Sequence, residues 1–447
     1  MASPTGHFEL DQASLSWVLM VRGLKIPFVL FVFGVSALLS SATCSYEQWP
    51  RDEYGFSVDG GDLLRGDRPF TLRGLYTPWL GDPGVSYDWR VDQLNRISLV
   101  GGNAVLIDLN PEFWEPRAVF QDWIHSFLKF AQVTRRRELG LILRVPEASG
   151  GDQRGSIFAE LLSKRWDILI WFDGAGGDRQ TEIFKRLNSD LVTLGPPSNR
   201  FADVVVLQNG TSLSSAPTIR LFPDLDRIDV SRNFILKGSN AAFRKLEEAF
   251  GARVTAEDLL AGRPVDADGF VALFDGTDLS AWEITGDPAG WKVEGDTLSW
   301  VQRGGRYVRT RAVFADFVLR LEFKISTGGN SGVFVRAPAS GRHSRIGMEI
   351  QIMGDAGEPP HKNGTGAIYD VRAPRVNASR PPGEWNELEI RCHGNHFRAV
   401  LNGREIHNFD LAADPELRYR LHEGFIMLQD HGASVSFRNI RIKDLRS

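Results

Sequence analysis

Glu349 and Gln351 alternate with Met348, Ile350 and Ile352, so on a strand the apolar trio turns to a core and the polar pair to the opposite, ligand-accessible side. Asp430-His431-Gly432 follows the apolar run 424–429 and sets an imidazole in a turn. Imidazole is the side chain whose ordinary pKa lies nearest neutrality. Arg336 ends the run 331–336, and Lys362 lies a little further on. A carboxylate, an imidazole and cations are the parts needed to remove a proton and stabilise the oxyanion that develops. Each residue also has a structural reading. His431 could be a turn histidine bonded to a carbonyl, Glu349 a solvated strand residue, Asn330 and Gly332 turn formers, and Tyr369 and Trp385 packing residues. His343, His361 and His431 have no HxH or HExxH spacing, so a divalent metal, with Glu349 and His431 as candidate ligands, would be assembled only by the fold.

The elements that must position these groups are strands. In 316–325 the residues Phe317, Leu319, Leu321, Phe323 and Ile325 share one face, while Arg320, Glu322 and Lys324 share the other, as in a half-solvated antiparallel strand. Similar runs occur at 331–336, 347–353, 386–392, 396–402, 424–429 and 434–442, and Asn402-Gly403 is a type I′ hairpin signal. Such short strands in quick succession predict an all-β, two-sheet jelly-roll sandwich. The polar stretch 262–269, with Pro and Gly, marks its start, giving a domain over 263–447.

The segments FVALFDGTDLSAWE (270–283), WKVEGDTL (291–298), FADFVLRLEFKIS (314–326), GGNSGVFVRAP (328–338), GMEIQIMGD (347–355), GTGAIYDVRAP (364–374), NASRPPGEWNELEIRC (377–392) and LNGREI (401–406), with the closing run 428–445, resemble the 3-keto-disaccharide hydrolase domain family. The resemblance implies a concanavalin-like sandwich in an exported bacterial protein acting on glycosides whose glucose ring carries a 3-ketone. It covers nothing before about residue 265. A 3-ketone acidifies the C2 hydrogen, so a base can remove it, the enolate can expel the C1 substituent, and water can add back. The resemblance then gives His431 the role of base or metal ligand and Glu349 that of partner base or ligand. Arg336 and Lys362 would stabilise the enolate, and Asn330, Gln351, Tyr369, Asn386 and Asp430 would bind substrate. A carbohydrate-binding sandwich without chemistry is the alternative.

In residues 46–262 the runs 70–76, 103–109, 139–145, 166–172, 190–194, 202–208, 218–222 and 234–237 read as strands with amphipathic stretches between them. This predicts an α/β domain of unassigned role, either a reduced β/α barrel or an open parallel sheet. Asp108, Glu147, Asp173, Asn209 and Asp224 fall at strand ends, where they either cap helices or include a glycosidase carboxylate pair. In that last case the sandwich would be a targeting module. FDGAGGD (172–178) lacks the GxGxxG spacing and reads as a glycine turn.

The chain has 447 residues, 42% hydrophobic and 24% charged, with a formal net charge of −4. That is globular composition with no basic field for nucleic acid. Two cysteines, Cys44 and Cys392, supply no disulfide framework. Arg22 and Lys25 precede an apolar run, Ile26 to Leu39, of about 14 residues, short of the roughly 20 that span a bilayer. This is the layout of an export signal over 1–45, giving a periplasmic or extracellular protein that meets a membrane only through the signal or through a lipid on Cys44.

Overall fold

The computed structural model describes residues 18–21, 24–27, 56–59, 62–76, 86–108, 127, 129–145, 168–172, 181–182, 193–195, 204–208, 218–222, 234–237 and 254–446. Val18–Val21 and Leu24–Pro27 pair as an antiparallel hairpin within a unit of their own, Met1–Pro50. The rest of the apolar run to Leu39 lies outside the described residues.

Eight short parallel strands follow: β1 (Arg73–Tyr76), β2 (Ala104–Asp108), β3 (Gly140–Val145), β4 (Ile168–Phe172), β5 (Thr193–Gly195), β6 (Val204–Gln208), β7 (Thr218–Phe222) and β8 (Phe234–Lys237). They pair in chain order, and β8 returns to β1 with Phe234 opposite Arg73, closing a barrel. Ala104, Leu106, Ile142, Leu169 and Trp171 form one apolar cluster, which Phe56 and Leu63 of a preceding hairpin join. Helix α1 (Tyr87–Leu99) connects β1 to β2, and most of the other expected helical connections lie outside the described residues.

The C-terminal strands are β9 (Val271–Phe274), β10 (Trp282–Ile284), β11 (Trp291–Glu294), β12 (Thr297–Trp300), β13 (Tyr307–Thr310), β14 (Phe317–Ile325), β15 (Asn330–Ala337), β16 (Met348–Met353), β17 (Asn386–His393), β18 (His396–Leu401), β19 (Arg404–Asp410), β20 (Phe425–Gln429) and β21 (Val435–Asp444). One sheet runs β11-β12-β21-β14-β17-β18-β19, with β9 also on β21. The other runs β10-β13-β20-β15-β16. The β14 alternation is realised: its five apolar residues enter the core and its polar residues face out, where Arg320 meets Glu389 at 2.8 Å and Glu322 meets Arg438 at 2.8 Å. Asn402 and Gly403 have φ of 48° and 75°, the pair of positive values a type I′ turn requires. A single apolar core between the sheets takes Leu319, Leu321 and Phe323 from one side and Val333, Ile350 and Leu428 from the other. This is a β-sandwich.

Candidate active site

The outer face of the five-stranded sheet forms the floor of a cavity. Antiparallel register sets Gly332 opposite Gln351 and Phe334 opposite Glu349, with Phe334 also opposite Met427 and Tyr307 opposite Gln429. Directly opposed residues share a face. Tyr307, Phe334, Glu349, Gln351 and Gln429 therefore project together, away from the core-facing Val333, Ile350, Ile352 and Leu428. With Asn330, Tyr369, His431 and Gly341 to Ser344 they line a cavity of about 210 Å³.

Glu349 is only 5% exposed, and no described residue gives its carboxylate a hydrogen bond. The carboxylate lies over Gly332, where a Cβ would come within 2.6 Å of Glu349 Oε1, so the missing side chain makes its berth. Burial pushes the Glu349 carboxyl up to about 8, with the Arg342 charge opposing the rise. Such a group exchanges a proton near neutral pH. Burial, followed by the charge of Arg309, pushes His343 down to about 4, so its imidazole is neutral. The His343 ring packs 4.7 Å from that of Tyr307, whose phenol is pushed up to about 12, first by burial and then by Glu349. Gln351 Nε2 donates to Asn330 Oδ1 at 3.1 Å, which leaves Gln351 Oε1 buried without a partner. Gln429 Oε1 is in the same condition. An unmet buried acceptor costs roughly 1–3 kcal/mol, so two of them on one cavity point to a ligand that brings O–H or N–H donors.

The segment 364–369 lies along the open edge of β16. Gln351 N donates to Ala367 O at 3.0 Å, Gly366 N to Gln351 O at 2.8 Å, and Tyr369 N to Glu349 O at 3.0 Å. Asp355 pins the segment by accepting from the Thr365 amide at 2.9 Å. This pairing covers the sheet edge and sets Tyr369 at the cavity.

Of the residues singled out in the sequence, Asn330, Glu349, Gln351, Tyr369 and His431 come together here, and His431 is exposed. Arg336 does not. It has φ of 49° at a register shift between β15 and β20, and this rotates the side chain off the cavity face. Its guanidinium is fully buried elsewhere, donating to Ala315 O at 2.9 Å and Gly394 O at 3.0 Å and pairing with Asp316. Lys362 is held by Asp370 at 3.2 Å, outside the lining. Asn386 is buried in a loop-binding role, accepting from Arg380 N at 2.7 Å and Asn402 Nδ2 at 2.8 Å. Asp430 braces the His431 turn by accepting from Trp300 Nε1 at 2.7 Å and from the amides of Gly304, Gly305 and Gly432. Trp385 lies under Arg438 and Lys324 as a cation-π partner.

The sequence reading passed over Tyr307, Arg342 and Gln429, and weighed His343 only for a metal. Gln429 carried a usable signal, since Phe425, Met427 and Gln429 alternate with core-facing Ile426 and Leu428. The segment 341–346 has no periodicity to read. Among the described residues no three His, Cys, Asp or Glu side chains gather to hold a metal ion, so Glu349 and His431 fall short of a ligand set. Glu147, Asp173, Asn209, Asp224 and the rest of the 172–178 turn beyond Phe172 lie outside the described residues.

Residues 269–443 match the family described as the 3-keto-alpha-glucoside-1,2-lyase-like domain. The C-terminal domain belongs to this family. A 3-keto-disaccharide hydrolase of Bacteroides thetaiotaomicron is 29% identical in an alignment 235 residues long that covers 41% of this chain and 80% of that protein. A crystal structure of a protein provisionally named a glycosyl hydrolase, from Parabacteroides distasonis, is 30% identical and covers 39% of this chain and 99% of its own, with a TM-score of 0.35. The carbohydrate-binding module CBM66 of Bacillus subtilis is 14% identical over 37% of this chain and 96% of its own, with a TM-score of 0.27.

Proposed function

We propose that the C-terminal domain cleaves 3-keto-glycosides, with Glu349 as the group that takes and returns the C2 proton. The observation that carries this reading is a buried carboxylate in the cavity, unpaired and held near neutral pKa. Glu349 removes the hydrogen on C2, and the electron pair forms the enolate with its oxyanion on O3. That pair then re-forms the C3 ketone as C1=C2 forms and the C1–O bond breaks. The departing oxygen takes a proton from His431 at the exposed side of the cavity. Water adds to C1 and passes a proton to His431, restoring the one that it gave to the leaving oxygen, while protonated Glu349 delivers its proton to C2, and the net change is hydrolysis. Arg342, whose charge already acts on Glu349, replaces Arg336 and Lys362 as the cation facing the enolate. Gln351 Oε1 and Gln429 Oε1 accept hydroxyl hydrogens of the sugar ring.

The test is turnover by the full chain of 3-keto-α,α-trehalose beside unoxidised trehalose. Cleavage of the keto sugar alone, reduced by at least about a hundredfold in Glu349→Gln, supports the reading. Glycan binding without turnover would replace it with a carbohydrate-binding sandwich. Residues 1–45 are proposed as the export signal, with 46–262 and 263–447 as the two domains. N-terminal sequencing of material recovered outside the cytoplasm checks the signal, and an intact Met1 there sinks it.

A further inference from the structure

The cavity is not built from the sandwich alone. Glu138, in the turn before β3, lines it as well. Its φ of 56° is a left-handed conformation that few residues with side chains adopt, and Arg65 Nη1 donates to its carbonyl at 2.5 Å. The surrounding bonds cross between the two domains. Arg342 N donates to Arg137 O at 2.9 Å, and Ser340 N and Oγ donate to Ser98 O at 3.1 Å and Gly102 O at 2.5 Å. Asn95, which accepts from Arg137 Nε at 2.8 Å within its own domain, donates across to Tyr419 O at 2.5 Å. Gly341 sits where the backbones come closest, with φ of 78° and no room for a Cβ, which would lie 2.7 Å from Arg137 O. Ile346 then packs on Leu99 and Leu421. The segment carrying Arg342, His343 and Ser344 is thus bonded at its first residue to the domain that supplies Glu138.

We propose that Glu138 is a specificity-determining residue of this cavity, its carboxylate accepting hydroxyl hydrogens from the leaving-group sugar while the keto ring lies over Glu349. The inference rests on the reading of the cavity given above and adds the half of the ligand that reading leaves open. Glu349, Gln351 and Gln429 occupy the sheet floor, whereas Glu138 enters from another domain beside the 341–344 wall, so the two carboxylates address different parts of one ligand. Beside burial and the Glu349 charge, the Glu138 charge also raises the Tyr307 phenol on the floor. A carboxylate is an acceptor-only group that suits a polyhydroxylated leaving group and gains nothing from a methyl one.

The experiment compares Kd for 3-keto-α,α-trehalose and for methyl 3-keto-α-glucoside in the full chain. A Glu349→Gln background blocks turnover, and Glu138 is kept or changed to Gln. The expected result is that the preference for the disaccharide falls by about tenfold on Glu138→Gln, the loss of one charged hydrogen bond, with Glu138→Asp falling between the two. Equal weakening of both ligands would mean that Glu138 only holds the domains together, and would overturn the proposal. Binding of neither ligand would overturn it together with the cavity reading. A lost preference in a chain whose parent shows no turnover would keep this inference and sink the reaction proposed above.

Discussion

Glu349 makes the stability of the folded chain depend on pH. Its folded pKa, about 8, lies above the ordinary 4.5. Between those values the unfolded chain releases a proton that the folded chain keeps, so stability falls as pH rises through the window and levels off above it. His343 and His407 act in the opposite sense. Burial holds both near 4, so their contribution is lost as pH falls from 6.5 toward 4. Glu349→Gln should therefore flatten the decline in melting temperature between pH 5 and 8, gaining a few kcal/mol over the parent at pH 9. Its acid limb, set by the histidines, should stay. A parallel decline in parent and variant would show that Glu349 titrates normally. In the parent, kcat/KM on the keto sugar should climb as pH approaches 8, because only the ionised carboxylate accepts the C2 proton. Gly332→Ala tests the berth. The added Cβ meets the end of a flexible side chain rather than backbone, so folding should be kept while kcat/KM drops by about a hundredfold. An unchanged rate would mean that the carboxylate does not need that position.

At the scale of elements, legibility followed periodicity. Strands β14 and β16 are regular two-residue alternations, so which residues enter the core and which share the outer face could be read directly, and Glu349 and Gln351 were placed by that rule. The rule failed at Arg336 because β15 is not regular there. A left-handed residue and a register shift turn its last residues, and nothing in 331–336 announces them. The signal lies in residues distant in sequence. Gly347 and Gly424 leave no space for a Cβ, which would lie 2.5 Å from Arg336 O and 2.4 Å from Arg336 C respectively. Gly424→Ala presses on backbone that cannot swing aside, and should destabilise by ~1–3 kcal/mol in chemical denaturation. A neutral result would show that the bulge is pliable. Asp430 and Asn386 were chosen for their chemistry, yet both spend it on backbone and side-chain groups of adjoining turns, which the sequence does not reveal.

At the scale of the molecule, Leu99 of α1 in the barrel packs with Ile346 and Leu421 of the sandwich in one apolar cluster among the described residues. Leu99→Ala should cost about 2 kcal/mol and also raise KM for the keto disaccharide, although Leu99 belongs to the other domain. Loss of stability with KM unmoved would separate docking from the cavity. This coupling was invisible in the sequence because the boundary near 262–269 reads only as a linker. Strand β21 has a consequence of another kind. It lies inside its sheet, bonded to β9, β12 and β14, yet every other strand of the sandwich precedes it in the chain. During synthesis those neighbours leave the ribosome with a gap where β21 will sit, so the sheet cannot zip from its start. Until β21 arrives, β9, β12 and β14 lack their shared partner, so the sandwich is expected to close after translation of its strands is finished rather than alongside it.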